Sequence, residues 1–154
     1  AIYRKSILDQ IGLFDENFFA YLEDMDISYR ARIYGYRNYF AANSKIYHIG
    51  SATSGSKHNE FKVKLAARNN IYLIYKNMPN LQILINGLFI IIGILVKWGY
   101  FGLKGLGKAY ISGVFEGLKT KKKIHRVKVK HNLYNYIKIE KMLIKNTFNL
   151  LKRG

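Results

Sequence analysis

The segment Tyr21-Leu22-Glu23-Asp24-Met25-Asp26 places three carboxylates within four residues, at the start of a predicted helix. Residues 23–34 suit a helix because the acids fall in its first turn and two arginines follow later, which matches the helix dipole. Gly35 is typical of the residue that ends a helix. Asp26 and Arg30 are four residues apart, so they can pair across one turn.

The three carboxylates allow two interpretations. Like charges held close together favour proton uptake by one of them, which suits a general base. Acidic first turns are also common in helices that have no catalytic role, where the acids only cap the helix. The spacing alone leaves both interpretations open.

Further elements are predicted on both sides of this segment. A short helix begins near Ser6 and ends at Gly12. Two short strands, 37–42 and 45–49, are followed by a small polar loop at 50–56. A longer helix spans 59–77 and ends before Pro79, the only proline.

His48 lies near the end of the second predicted strand, beside the polar loop. A neutral imidazole in this position could bind a divalent metal. It could equally be an ordinary hydrogen-bonded histidine, because one histidine and one acidic cluster do not define a metal site by spacing.

Aromatic residues are frequent just before the acids. Aromatic faces bind sugar rings well, but such residues more often form core. The residues concerned are Tyr3, Phe14, Phe18, Phe19 and Tyr21.

The order of these motifs resembles the second half of the catalytic domain of family 2 glycosyltransferases. The similarity is greatest to the rhamnosyltransferase-like and galactofuranosyltransferase-like members that build bacterial surface polysaccharides. It covers residues 1–78 and includes Arg68-Asn69-Asn70, similar to an Arg-Asn pair on the following helix of those members. The other matching motifs are Tyr3-Arg4-Lys5, Ile11-Gly12-Leu13-Phe14-Asp15-Glu16, Phe18-Phe19, the acidic segment, Arg30-Ala31-Arg32, Gly35-Tyr36 and Ile46-Tyr47-His48.

The resemblance implies an α/β fold: the C-terminal half of a GT-A-type nucleotide-diphospho-sugar transferase domain, followed by a mostly helical basic tail. It implies a nucleotide-sugar donor, a lipid-linked or cell-surface glycan acceptor, and Mg²⁺ or Mn²⁺. Asp24 matches the general base of an inverting transfer, and His48 matches a metal-binding histidine. The residues expected to bind substrate are Glu23, Asp26, Arg30, Phe14 and Asp15.

One departure from the family's pattern limits this expectation. The family's donor-binding half lies upstream and carries an Asp-x-Asp motif for the metal, and nothing similar precedes Tyr3. The literal Asp24-Met25-Asp26 matches the base motif instead. We therefore expect most metal ligands to lie outside this chain, and the isolated chain to be inactive.

Charge divides the chain into two parts, predicted as a catalytic part, 1–78, and a basic helical tail, 79–154. Residues 1–80 carry 11 Lys/Arg and 7 Asp/Glu, a net of +4, whereas residues 81–154 carry 15 and 2, a net of +13. The absence of cysteine excludes disulfides and cysteine-based zinc sites.

Residues 83–96 of the tail are almost entirely apolar, and this region has three possible interpretations. The favoured one is an anionic membrane surface at the cytoplasmic face of a bacterial membrane, with the tail peripheral or shallowly inserted. The tail could instead pack on the catalytic part. Nucleic acid is disfavoured because no recognition motif accompanies the lysines. A non-catalytic basic module that binds membrane or nucleic acid is the alternative function.

Overall fold

The computed structural model describes residues 1–45, 47, 59–129 and 132–152. The helices are α1 (Lys5–Ile11), α2 (Glu23–Ile33), α3 (Glu60–Asn77), α4 (Asn80–Ile85), α5 (Gly87–Gly102), α6 (Gly107–Thr120) and α7 (Leu133–Leu151). One short 3₁₀ turn, Glu16–Phe18, precedes α2, and another, Lys121–Lys123, follows α6.

The predicted α/β fold, with its GT-A-type half-domain, is wrong, because the described part of the chain is helical and contains no strand. Residues 37–42, predicted as a strand, form an irregular exposed segment in which Phe40 is 93% exposed. A strand needs a partner for its backbone groups and a face to bury, and this segment has neither among the described residues. Most of the second predicted strand, including His48, and the loop 50–56 lie outside the described residues.

The helix predictions are confirmed, with shifts at their ends. α1 begins at Lys5 with Arg4 at its N-cap, so Ser6 does not cap it, and Gly12 ends it with a φ of 86°. Asn59 caps α3 by accepting a hydrogen bond from the backbone N–H of Lys62. α7 lies within the predicted basic helical tail, 79–154.

The contact between α3 and α6 forms the centre of the fold. Val63, Ala67 and Ile71 of α3 pack against Tyr110 and Val114 of α6, and all five side chains are buried. α6 belongs to the predicted tail and α3 to the predicted catalytic part. The two parts therefore share a core, and the boundary at residue 79 stays a prediction.

Two glycines of α6 make this contact close. A Cβ on Gly113 would overlap the carbonyl oxygen of Lys64, and one on Gly117 would lie 2.8 Å from Cβ of Ile71. Because residues four apart lie on one face of a helix, both glycines meet α3.

α5 packs on α6 along one side only. Its Phe101 stacks on Tyr110 with ring centroids 5.5 Å apart, and Ile94 also reaches the α3–α6 core. No residue of α5 is buried. Across the part of the chain that the structure describes, no helix combines the length and the apolar character needed to cross a membrane.

We expect Gly117→Ala to lower the free energy of unfolding by about 1 to 3 kcal/mol, because the added methyl group forces α3 and α6 apart. Urea denaturation followed by circular dichroism measures the change. Gly99→Ala on α5 is the matched control, since its Cβ would meet nothing within 4 Å. There alanine should raise stability by up to about 1 kcal/mol, its helix-propensity advantage. Equal effects at both positions would contradict a close α3–α6 contact.

Candidate active site

The backbone just before the acidic cluster is strained. Phe19, Tyr21 and Leu22 have φ values of 61°, 68° and 69°. Residues other than glycine rarely adopt positive φ values. The N–H of Ala20 donates to the carbonyl oxygen of Phe18 at 2.7 Å, which closes a tight turn around Phe19. Each such conformation costs about 1 to 3 kcal/mol and persists only where its surroundings hold it.

Two side chains of α3 hold this strained loop. The Asn69 side-chain nitrogen lies 2.8, 2.7 and 2.8 Å from the carbonyl oxygens of Phe18, Ala20 and Tyr21. Arg68 donates to the Asn69 side-chain oxygen at 3.1 Å, which turns the amide nitrogen towards the loop. Arg68 also donates to the carbonyl oxygen of Phe18 at 3.3 Å.

The loop delivers Glu23 and Asp24 to the first turn of α2. Asp24 is exposed, and its Oδ1 accepts a hydrogen bond from the backbone N–H of Met25 at 2.8 Å. Glu23 is half-buried, and its Oε2 is buried without a hydrogen-bond donor among the described residues. Such an oxygen is costly to leave unpaired.

Tyr3 lies beside these two carboxylates. Burial, followed by the negative charges of Asp24 and Glu23, raises the pKa of the Tyr3 hydroxyl. Tyr3 also packs edge-on against Phe14, with ring centroids 5.9 Å apart. Phe14 is exposed, so an aromatic surface borders the carboxylates.

A second aromatic pair joins the loop to α3. The rings of Phe19 and Phe61 meet edge-on at 6.5 Å, and both are well exposed. Exposed aromatic faces near carboxylates suit a sugar, because its C–H groups pack on rings while its hydroxyls form hydrogen bonds.

Tyr3 also lines an open cleft of about 700 Å³ between α1, α2 and residues 35–39. Ile27 and Ser28 of α2 form one wall, one turn beyond the carboxylates, and Tyr36 and Tyr39 line another part. Glu23 and Asp24 do not line this cleft, which meets α2 one turn further along at Ile27.

Behind the exposed carboxylates, Asp26 is fully buried and fully engaged. Its Oδ2 accepts from Arg30 Nε at 2.9 Å and from Lys76 Nζ at 2.9 Å, and its Oδ1 accepts from Asn77 at 2.8 Å. The carboxylate thus joins α2 to the end of α3. These contacts give Asp26 a positioning role, and substrate binding by Asp26 stays a prediction.

Arg30 and Lys76 extend this network to the turn after α1. Arg30 donates to the carbonyl oxygens of Ile11, Gly12 and Leu13. Lys76 pairs with Asp15 at 2.7 Å.

Asp15 is held at the edge of this network. Burial alone would raise the pKa of Asp15, but hydrogen bonds from Lys76 and Asn17, together with the Lys76 charge, outweigh burial and lower it. Arg30 and Asp15 therefore bind the protein's own groups. Their predicted substrate contacts stay predictions.

Of the residues predicted from sequence, Glu23 and Asp24 adjoin in the first turn of α2, and Phe14 is linked to them through Tyr3. His48 lies outside the described residues. Sequence reasoning gave no role to Lys76 and Asn77, and it noted Asn69 only as part of a motif. The available signal was three polar residues at helical spacing on the buried side of α3.

The described residues contain no group of three or more His, Asp or Glu side chains arranged to hold a metal ion. Asp26 is occupied by Arg30, Lys76 and Asn77. Because His48, the predicted metal ligand, lies outside the described residues, binding of Mg²⁺ or Mn²⁺ stays a prediction and no step is assigned to the metal.

No protein-family model matches the sequence, and no curated protein and no solved structure is significantly similar to it.

We expect Asn69→Asp to release the strained loop, because a carboxylate would face three carbonyl oxygens where an amide nitrogen now donates. The free energy of unfolding should fall by about 1 to 3 kcal/mol, and amide hydrogen exchange at residues 18–22 should accelerate. Asn70→Asp, the next position on α3, introduces the same charge and should have a smaller effect. Unchanged exchange in the loop of Asn69→Asp would show that Asn69 does not hold it.

Asp15 should contribute to the pH dependence of stability. Its pKa is lowered on folding, so its contribution is complete above about pH 4 and is lost as the pH falls through the lowered pKa. Asp15→Asn should therefore be less stable than the parent near pH 6, and the difference should shrink near pH 3. Urea unfolding at both pH values tests this, with exposed Asp9→Asn as the control. A difference that stays constant with pH would contradict the assignment.

Proposed function

We propose that this chain provides the acceptor-binding part of an inverting glycosyltransferase, with Asp24 as the general base. The observation that carries the proposal is the strained loop at residues 18–22, held by Asn69 and Arg68, which presents Asp24 to solvent beside Glu23 and Tyr3. Strain of this kind concentrates at functional sites. The ordered motifs that resemble family 2 glycosyltransferases support the same function.

In the proposed reaction, Asp24 accepts the proton of an acceptor hydroxyl as that oxygen attacks the anomeric carbon of the donor sugar. The bond from the anomeric carbon to the nucleoside diphosphate breaks on the opposite face, so the configuration inverts. The exposure of Asp24 gives an acceptor hydroxyl direct access to the carboxylate. The nucleotide-sugar donor is inferred from the resemblance.

The acceptor is proposed to be a glycan, lipid-linked or at the cell surface. Glu23, half-buried next to Asp24, would accept a hydrogen bond from a second acceptor hydroxyl through the accessible part of its carboxylate. Phe14 and Phe19 would pack against sugar faces, since both rings are exposed beside the loop. The cleft next to Tyr3 would hold further sugar units.

The test compares Asp24→Asn with the parent in the complete product of the gene, using a nucleotide-sugar donor and a water-soluble glycan acceptor. Release of the nucleoside diphosphate measures turnover. We expect kcat to fall by about 10²- to 10⁴-fold, because the amide cannot accept the proton. Asp9→Asn, an exposed acid on α1, should keep the parent's kcat. Undiminished transfer by Asp24→Asn would sink the proposal.

Glu23→Gln separates acceptor binding from proton transfer. It keeps the size of the side chain but removes its charge, so the acceptor KM should rise more than kcat falls. A fall in kcat with an unchanged acceptor KM would show that Glu23 acts in the chemical step and does not bind the acceptor.

A further inference from the structure

α4 and α5 expose an apolar surface that the fold leaves uncovered. Leu84, Leu88 and Val96 are 77%, 66% and 65% exposed, and no residue of α5 is buried. Contiguous apolar surfaces of this kind mark interaction sites on soluble proteins.

The exposed surface wraps around most of α5. At about 100° per residue, Leu88, Ile91 and Tyr100 lie on an exposed arc roughly 200° wide. Ile94 and Phe101, which reach the α3–α6 core, lie on the remaining side. A helix that packs against one partner buries a stripe of about 100°. The arc is therefore too wide for a single partner helix, but an apolar layer that surrounds the helix would cover it.

One end of this surface carries the residues typical of a lipid headgroup region. Trp98 and Tyr100 lie half-exposed near the end of α5, and both rings combine an apolar body with a polar tip. Lys104 Nζ donates to the Tyr100 hydroxyl at 2.6 Å and lies 4.4 Å from the centre of that ring. An amphipathic aromatic and a lysine thus end the apolar surface together.

The charge around the surface selects an anionic partner. Residues 81–154 carry 15 Lys/Arg against two acids, Glu116 and Glu140. Glu116 is paired with Lys64 and Arg68 of α3, and Glu140 accepts hydrogen bonds from Asn86 at the α4–α5 junction. Both acids are already engaged, so the lysines present a strongly positive field.

α7 has the same chemistry. Leu133, Ile137 and Ile144 are exposed on one side of this helix, and lysines border them. Its Glu140 joins it to the start of α5 through Asn86. Two linked helices therefore combine exposed apolar side chains with lysines.

We propose that α4 and α5 lie at the boundary between the headgroups and the acyl chains of an anionic lipid bilayer, such as a cytoplasmic leaflet, with the surrounding lysines on the lipid phosphates. α5 rises about 24 Å over its 16 residues, less than the roughly 30 Å of a hydrocarbon core, so it lies along the surface. A second copy would cover only part of the arc and would repel the like charge. A nucleic acid would leave the apolar arc in water. The inference is independent of the glycosyltransferase proposal.

The test is co-sedimentation of the 154-residue chain with vesicles of phosphatidylcholine, with and without phosphatidylglycerol. We expect the partition coefficient for the anionic vesicles to be at least about tenfold higher, and to fall with added salt. Leu88→Glu combined with Leu95→Glu places two charges in the exposed arc without touching the core. This variant should keep its helical circular dichroism and bind at least about tenfold more weakly.

The matched control is Ile2→Glu combined with Phe40→Glu, which adds the same charge at two fully exposed apolar positions outside α4 and α5. It should bind vesicles like the parent, within about twofold. If both double variants weakened vesicle binding equally, the change in net charge alone would explain the effect, and the proposal would be overturned.

Three other outcomes would also overturn it. The parent could fail to bind anionic vesicles. Sedimentation without lipid could show a dimer that the α5 variant abolishes, which would assign the surface to a second copy. Tight binding to a single-stranded RNA at physiological salt, in preference to vesicles, would assign the lysines to nucleic acid.

Discussion

The buried carboxylate of Asp26 is the interaction on which the rest of the structure depends. It binds Arg30 within its own helix and Lys76 and Asn77 from α3, so it fixes the angle at which α2 leaves the strained loop. Arg30 and Lys76 then hold the turn after α1 through its carbonyl oxygens and Asp15. Removing one partner of such a buried group typically costs about 3 to 5 kcal/mol, because the remaining charge stays desolvated. These contacts therefore also fix the position of Glu23 and Asp24 at the start of α2.

The sequence predicts the local part of this fold and misses the long-range part. Helix ends follow from Gly12, Gly35, Asn59 and Pro79, since each acts on its own neighbours. The Asp26–Arg30 pair follows from four-residue spacing. The strand predicted at 37–42 fails because strand formation depends on a partner elsewhere in the chain, and aromatic residues alone do not supply one. The same locality explains why the Lys76 and Asn77 contacts, fifty residues from Asp26, were not foreseen.

The order of the motifs predicts a candidate site at the acidic segment, but it does not predict the backbone conformation that precedes that segment. The acidic segment is visible in the sequence, but its positive φ values fall on Phe19, Tyr21 and Leu22, where a reader would expect glycine. Hydrogen bonds from Asn69 and Arg68 to the carbonyl oxygens of this segment hold the backbone in place. The apolar character of 83–96 was likewise visible. The sequence does not show that α5 packs one side on α6 and exposes a wide arc, because this depends on the contact between the two helices.

The glycine contact between α6 and α3 has a geometric consequence for any reaction at Asp24. α5 packs on α6, α6 packs tightly on α3, and α3 holds the loop that carries the carboxylates. Adjacent packed elements lie about 8 to 10 Å apart, so the three contacts between α5 and the loop place their axes about 24 to 30 Å apart across the stack. With α5 resting on a bilayer, the protein would act as a fixed spacer. It would select acceptors by how far their growing end stands from the lipid, independently of which sugar that end carries.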